Sequence, residues 1–204
     1  MLKSNYRKLC PVSLPYAGRQ HYMHAFDLAA PVMREGFEDY LEPVIALCAA
    51  AGATHGIAYL TVDEKIVPAG MSQRRPKPHV DGRFVEGKKH RYVENAIGDW
   101  SSGGGWLHYC NRVPFKRMAV IVAASAVGCR AWRGLFEAEP DDGGDLSHVP
   151  FTGGELLDAG FGYLLWPDCV HESLVFTEPT QRTFLRIALP VEYAPPASGA
   201  NEGG

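Results

Sequence analysis

From residue 56 onward the chain consists of short β-forming segments separated by turn residues, and that texture limits the folds open to it. Gly56-Ile57-Ala58-Tyr59-Leu60-Thr61-Val62 and Lys65-Ile66-Val67-Pro68 are rich in β-branched and aromatic side chains, and Asp63-Glu64 is expected as the turn between them. Residues 117–124 (RMAVIVAA) predict a buried strand, and residues 129–136 a second one after a turn at Gly128. Residues 162–166 and 182–189 supply the last two strands, with an acidic loop over 137–147 in between. Ahead of the strands a single helix is expected. Met33, Phe37, Tyr40, Leu41, Val44, Leu47 and Cys48 recur at three- and four-residue spacing between Ala29-Ala30-Pro31 and Gly52, with Pro43 kinking or splitting the run. Residues 1–28 lack a period and read as an irregular arm or short strand. The fold class is therefore mainly β with a flanking helix (α+β), closed or double-sheeted.

A chain of 204 residues has volume for one domain and one core, expected over residues 1–195. Residues 196–204 are small and polar and read as a disordered tail. The longest apolar run is too short to cross a bilayer, and the first residues lack the apolar centre of a secretory signal, so a cytoplasmic protein with no membrane partner is expected. The five cysteines are scattered and include no Cys-x-x-Cys pair, which disfavours a disulfide framework and a zinc knuckle. A net charge of −3 argues against a surface dedicated to coating DNA. Yet Arg74, Arg75, Lys77, Arg83, Lys88, Lys89 and Arg91 crowd one stretch. They read either as a solvated basic loop or as a rim that attracts an anionic substrate.

That basic stretch encloses Pro78-His79-Val80-Asp81-Gly82. In an extended chain alternate side chains share a face, so His79 and Asp81 point the same way. A distant second histidine would complete a facial set of two imidazoles and one carboxylate, which leaves about three of six positions open on an octahedral metal. His171, in Trp166-Pro167-Asp168-Cys169-Val170-His171-Glu172-Ser173, is the candidate. Arg182 follows eleven residues later in Gln181-Arg182-Thr183-Phe184-Leu185-Arg186-Ile187, early enough in its strand for a hairpin to return it beside the metal. Arg186 shares its face, and two buried arginines require anionic partners. A Gly-rich stretch over 95–111, flanked by Trp100, Trp106, His108 and Tyr109, suggests an aromatic flap; its glycines do not follow a phosphate-loop spacing.

Together, HVD, WPDCVHES and QRTFLRI resemble the iron(II)/2-oxoglutarate-dependent dioxygenase superfamily, and the strand order over residues 56–190 is similar too. The resemblance implies a double-stranded β-helix, the jelly roll also found in cupins. It implies Fe(II) on His79, Asp81 and His171, and 2-oxoglutarate with its distal carboxylate on Arg182. Arg186 would bind the co-substrate or an acidic group of the substrate; beside the resemblance, Arg83 is a candidate substrate contact, and Trp132 reads either as core or as a substrate contact. No tyrosine stands shortly before His79, as it does in prolyl-hydroxylase-like members, and Gly128-Cys129-Arg130-Ala131 replaces the usual Gly-Gly-x-Leu, so no subfamily is assigned.

The expected activity is hydroxylation by dioxygen of an acidic small molecule such as an amino acid or carboxylic acid. A nucleobase or a protein side chain is the alternative substrate, with nucleic acid the less favoured partner. A non-catalytic jelly-roll binding protein is the reading from another class.

Overall fold

The computed structural model describes residues 1–81, 118–141, 144–190 and 193. Strands β1 (Leu2–Ser4), β2 (Tyr6–Pro11) and β3 (Gln20–Asp27) occupy the stretch expected as an arm. A 3-10 turn (Glu38–Tyr40) leads into helix α1 (Leu41–Ala51). Then come β4 (Ile57–Val67), β5 (Val120–Ala124), β6 (Cys129–Ala131), β7 (Gly134–Phe136) and β8 (Glu155–Leu156). Strands β9 (Phe161–Leu165), β10 (His171–Ser173) and β11 (Thr180–Ala188) complete the series. The molecule is mainly β, as the texture of the sequence implies.

The strands form a six-stranded antiparallel sheet in the order β2-β9-β5-β11-β4-β3 and a three-stranded one in the order β10-β6-β8, while β1 pairs with β7. The backbone of His79 adds to the free edge of β10 through a bridge to His171, and a further bridge joins His79 to Asp145 on its other side. Alternation along the strands divides the apolar side chains into three groups. Val120, Val122, Tyr163, Phe184 and Ala131 pack between the two sheets. Leu60, Val62, Ile121 and Leu185 face α1 on the outer side of the large sheet. Val80, Trp132, Leu146 and Val170 form a third cluster.

Three departures from the sequence reading have local causes. The helix begins only at Leu41, because Pro43 lies in its first turn, where the missing N–H would have no helical acceptor. It ends at Gly52, which adopts φ +77, as expected. The two strands expected around Asp63-Glu64 are one strand, β4, with both carboxylates buried. Each is compensated: Asp63 accepts from Gln20 and faces Lys65, while Glu64 accepts from the Ala17 and Arg19 amides, Arg19 and the Tyr40 hydroxyl. Residues 129–136 divide into β6 and β7, with Gly134 at φ +145 beside the break, and β7 pairs with β1.

Helix α1 buries Val44 and Leu47, worth about 1.5–3 kcal/mol per side chain of this kind. Its close approach depends on Gly162, where a Cβ would stand 2.1 Å from a Leu47 methyl. Among the described residues no helix is long and apolar enough to cross a membrane. The expected flap over 95–111, Arg83 and the tail at 196–204 lie outside the described residues.

Candidate metal centre

His79 and His171 meet as a hydrogen-bonded antiparallel pair. The His79 amide donates to the His171 carbonyl at 3.0 Å, and the His171 amide returns the bond at 2.9 Å. Directly opposed residues in such a pair present their side chains on one face, and the two ring centroids are 4.4 Å apart. On the other side, the Val80 amide donates to the Gly144 carbonyl at 2.9 Å and the Leu146 amide to the Pro78 carbonyl at 3.0 Å. The His79 backbone is thus fixed along both edges. Val80, between His79 and Asp81, points the other way into the apolar cluster with Trp132 and Val170. That alternation turns Asp81 back toward the histidines, with its Oδ1 4.0 Å from His171 Nε2.

One ligand atom from each of His79, Asp81 and His171 lies within 4.8 Å of the others, an arrangement able to hold a metal ion. The hydrogen bonds orient the donors. His79 Nδ1 is 2.9 Å from the Lys77 carbonyl, and His171 Nδ1 is 2.9 Å from the Cys169 carbonyl. A carbonyl only accepts, so each Nδ1 carries the proton and each Nε2 lone pair is left for a cation. Lys77 adopts φ +67, the left-handed region, which is strained for a lysine and is tolerated here in the turn that carries this carbonyl. Two imidazoles and a carboxylate are borderline-to-hard donors suited to first-row divalent metals.

The charges favour the same state. Burial, and then the neighbouring His171, lower the pKa of His79 to about 3, so its ring is neutral at ordinary pH. Burial opposes ionisation of Asp81, but Arg186, with the two histidines, outweighs it and holds the carboxyl well below the usual range. Acidification therefore costs stability at both groups. Between pH 6.5 and about 3 the unfolded chain protonates this histidine and the folded one does not, so folding weakens as pH falls. Asp81 adds a loss in the same direction once its unfolded carboxyl begins to protonate, near its ordinary 3.8. Chemical denaturation of the metal-free protein is expected to show a lower midpoint at pH 4 than at pH 7; equal midpoints would contradict the burial of His79.

The other residues singled out from the sequence are distributed unevenly. Arg186 reaches the centre, but through the protein itself, with Nη2 2.8 Å from Asp81 Oδ2. Arg182 shares the inward face of β11 and is fully buried. It donates through Nε to the Ala126 carbonyl at 3.0 Å, through Nη1 to Gln73 Oε1 at 2.5 Å and through Nη2 to Cys129 Sγ at 3.3 Å. Its guanidinium lies near the rings of Phe176 and Phe184 and lines a narrow cleft with Leu157 and Tyr163. Among the described residues no carboxylate pairs with it. Trp132 is buried against Phe151 in the cluster that receives Val80, on the opposite side of the small sheet from the histidines, so it does not line the metal centre. Of the two residues that cradle Arg182, Gln73 belongs to no sequence pattern that would have marked it, and Cys129 stood out only as a departure from Gly-Gly-x-Leu.

No protein-family model, curated protein or solved structure matches this chain.

Proposed function

We propose that this chain is an Fe(II)- and 2-oxoglutarate-dependent oxygenase on a jelly-roll fold. The path of the strands supports the fold. From β4 the chain alternates between the large and small sheets: β4, the His79 segment, β5, β6 and β8, β9, β10, β11. With β7 set apart on β1, that order supports an eight-stranded jelly roll, with the metal-binding candidates on its smaller sheet.

The observation that carries the oxygenase reading is Arg182. A metal triad alone suits several chemistries. A fully buried guanidinium whose hydrogen-bond acceptors among the described residues are all neutral is costly unless an anion joins it. A dicarboxylate supplies that anion at one end and metal-chelating oxygens at the other. Arginine's planar fork suits a carboxylate in particular. Gln73 fixes this fork without cancelling its charge.

With both groups bound, the centre would supply oxygen activation: dioxygen converts 2-oxoglutarate to succinate and carbon dioxide and places one oxygen atom into a substrate C–H bond. The protein's part is to orient and to exclude water. His79 and His171 present their Nε2 atoms, Asp81 presents Oδ1, and the apolar side chains between the sheets keep the interior dry.

The substrate we propose is an acidic small molecule. Two members of the basic cluster already have internal partners, Arg74 with Asp63 and Arg75 with Asp145. A nucleobase substrate would show steeply salt-dependent affinity for oligonucleotides, and a small acid would not. A non-catalytic binding protein would give no spectral response to the co-substrate. Anaerobic addition of Fe(II) and 2-oxoglutarate is expected to produce a weak visible charge-transfer band, followed by succinate on admission of oxygen with a panel of amino acids and organic acids. Neither band nor succinate would sink the proposal.

A further inference from the structure

Asp81 divides its two oxygens. Oδ2 accepts from Arg186 Nη2 at 2.8 Å, while Oδ1 lies 4.0 Å from His171 Nε2 on the metal side. The pair joins two sheets: Asp81 follows the His79 segment on the edge of the small sheet, and Arg186 stands mid-strand in β11 of the large one. Arg186 is itself pinned, with its backbone paired to Thr61 on one side and Val122 on the other and its side chain only 8% exposed. A ligand near the end of a short edge segment is thus held by a rigid strand across the interior.

We propose that Arg186 is a positioning residue for the metal: it fixes Asp81 as a ligand through one oxygen and so sets the affinity of the centre for divalent cations. This rests on His79, Asp81 and His171 forming a metal centre, and it is independent of 2-oxoglutarate chemistry. The physical reason is a competition. A free carboxylate can offer a metal both oxygens, and the second would take a coordination position that must stay open for other ligands. A strong, charge-assisted bond to one oxygen removes that option and aims the remaining lone pairs. Ligand atoms about 2.1 Å from one ion and adjacent in its shell are about 3 Å apart. The 4.0 Å separation of Oδ1 from His171 Nε2 therefore needs to close by about 1 Å, which the Arg186 bond permits through a small rotation of the carboxylate. Arg186 thereby donates to one of the protein's own candidate ligands, whereas the sequence pointed it at the co-substrate or an acidic group of the substrate.

Two experiments test this with the metal alone. In crystals of the wild-type chain grown with Mn(II), Asp81 is expected to ligate through Oδ1 only, with Oδ2 still on Arg186; two-oxygen ligation, a broken Arg186 bond or an absence of bound Mn(II) would overturn the proposal. In solution, Arg186→Met is expected to weaken Co(II) binding by about 10–100-fold, the usual cost of losing an outer partner of a metal ligand. Arg186→Lys, which retains a cation and a donor, should recover part of that loss. In an Asp81→Ala background, Arg186→Met should change Co(II) affinity no further, because its influence passes through the missing carboxylate. Equal losses in both backgrounds would show that Arg186 acts on folding rather than on the ligand.

Discussion

Replacing His79 with alanine is expected to leave a folded protein that no longer binds a divalent metal tightly and forms no succinate. The fold survives because the bonds that place residue 79 in the small sheet are made by its backbone, to His171 directly and through its neighbours to Gly144 and Leu146. The side chain contributes the Nε2 donor and some buried volume, and only these are removed. Two ligands in place of three should reduce affinity beyond the ~10–100-fold that the loss of an outer partner costs. Asp81→Ala should weaken metal binding to a similar degree, leaving residual affinity on the two histidines, but is less clean. It also removes the carboxylate oxygen to which Arg186 donates, so some stability is lost as well. Calorimetric titration with Fe(II) or Co(II), run beside a thermal melt of the metal-free protein, separates the two effects. A His79→Ala variant with full turnover would remove the centre from the mechanism.

What the sequence made legible here, and what it hid, follows from the range of the forces involved. Alternation along a strand is local, so His79 and Asp81 could be placed on one face from their spacing alone. His171 could be named but not paired, since nothing in the chain announces that its carbonyl accepts from His79. The charges misled most. Asp63-Glu64 looks like a turn because isolated carboxylates belong in water. Both are buried because Gln20, Lys65, Arg19 and Tyr40, distant in sequence, converge on them. Arg186 has the same history: a buried arginine implied an anion, and the anion is a residue of this chain. Trp132 stands one position beyond Ala131, the residue that pairs with His171. One step along a strand reverses the face, and so it faces Phe151 instead of the metal centre.

Arg182→Met should leave metal binding intact and greatly weaken 2-oxoglutarate. Methionine is flexible and apolar enough to occupy the space between Phe176 and Phe184. Its effect on stability combines opposing contributions. A buried cation without a carboxylate is removed, which favours the fold. The Ala126 carbonyl and the Gln73 amide oxygen lose a donor, at about 1–3 kcal/mol for each group left unsatisfied. The net change in melting temperature should therefore be modest, whereas the change in co-substrate binding should not. Losing one side of a buried, charge-assisted contact costs about 2–5 kcal/mol, roughly 30- to 5,000-fold in affinity. Specificity provides the sharper readout. The wild type should bind 2-oxoglutarate much more tightly than 2-oxobutyrate, which keeps the chelating end and lacks the distal carboxylate. In Arg182→Met the two oxoacids should bind alike, with Co(II) affinity unchanged. A general loosening of the fold would weaken both and preserve their ratio. If the variant still prefers the diacid, the distal carboxylate is held elsewhere, and the buried guanidinium belongs to the architecture rather than to the chemistry.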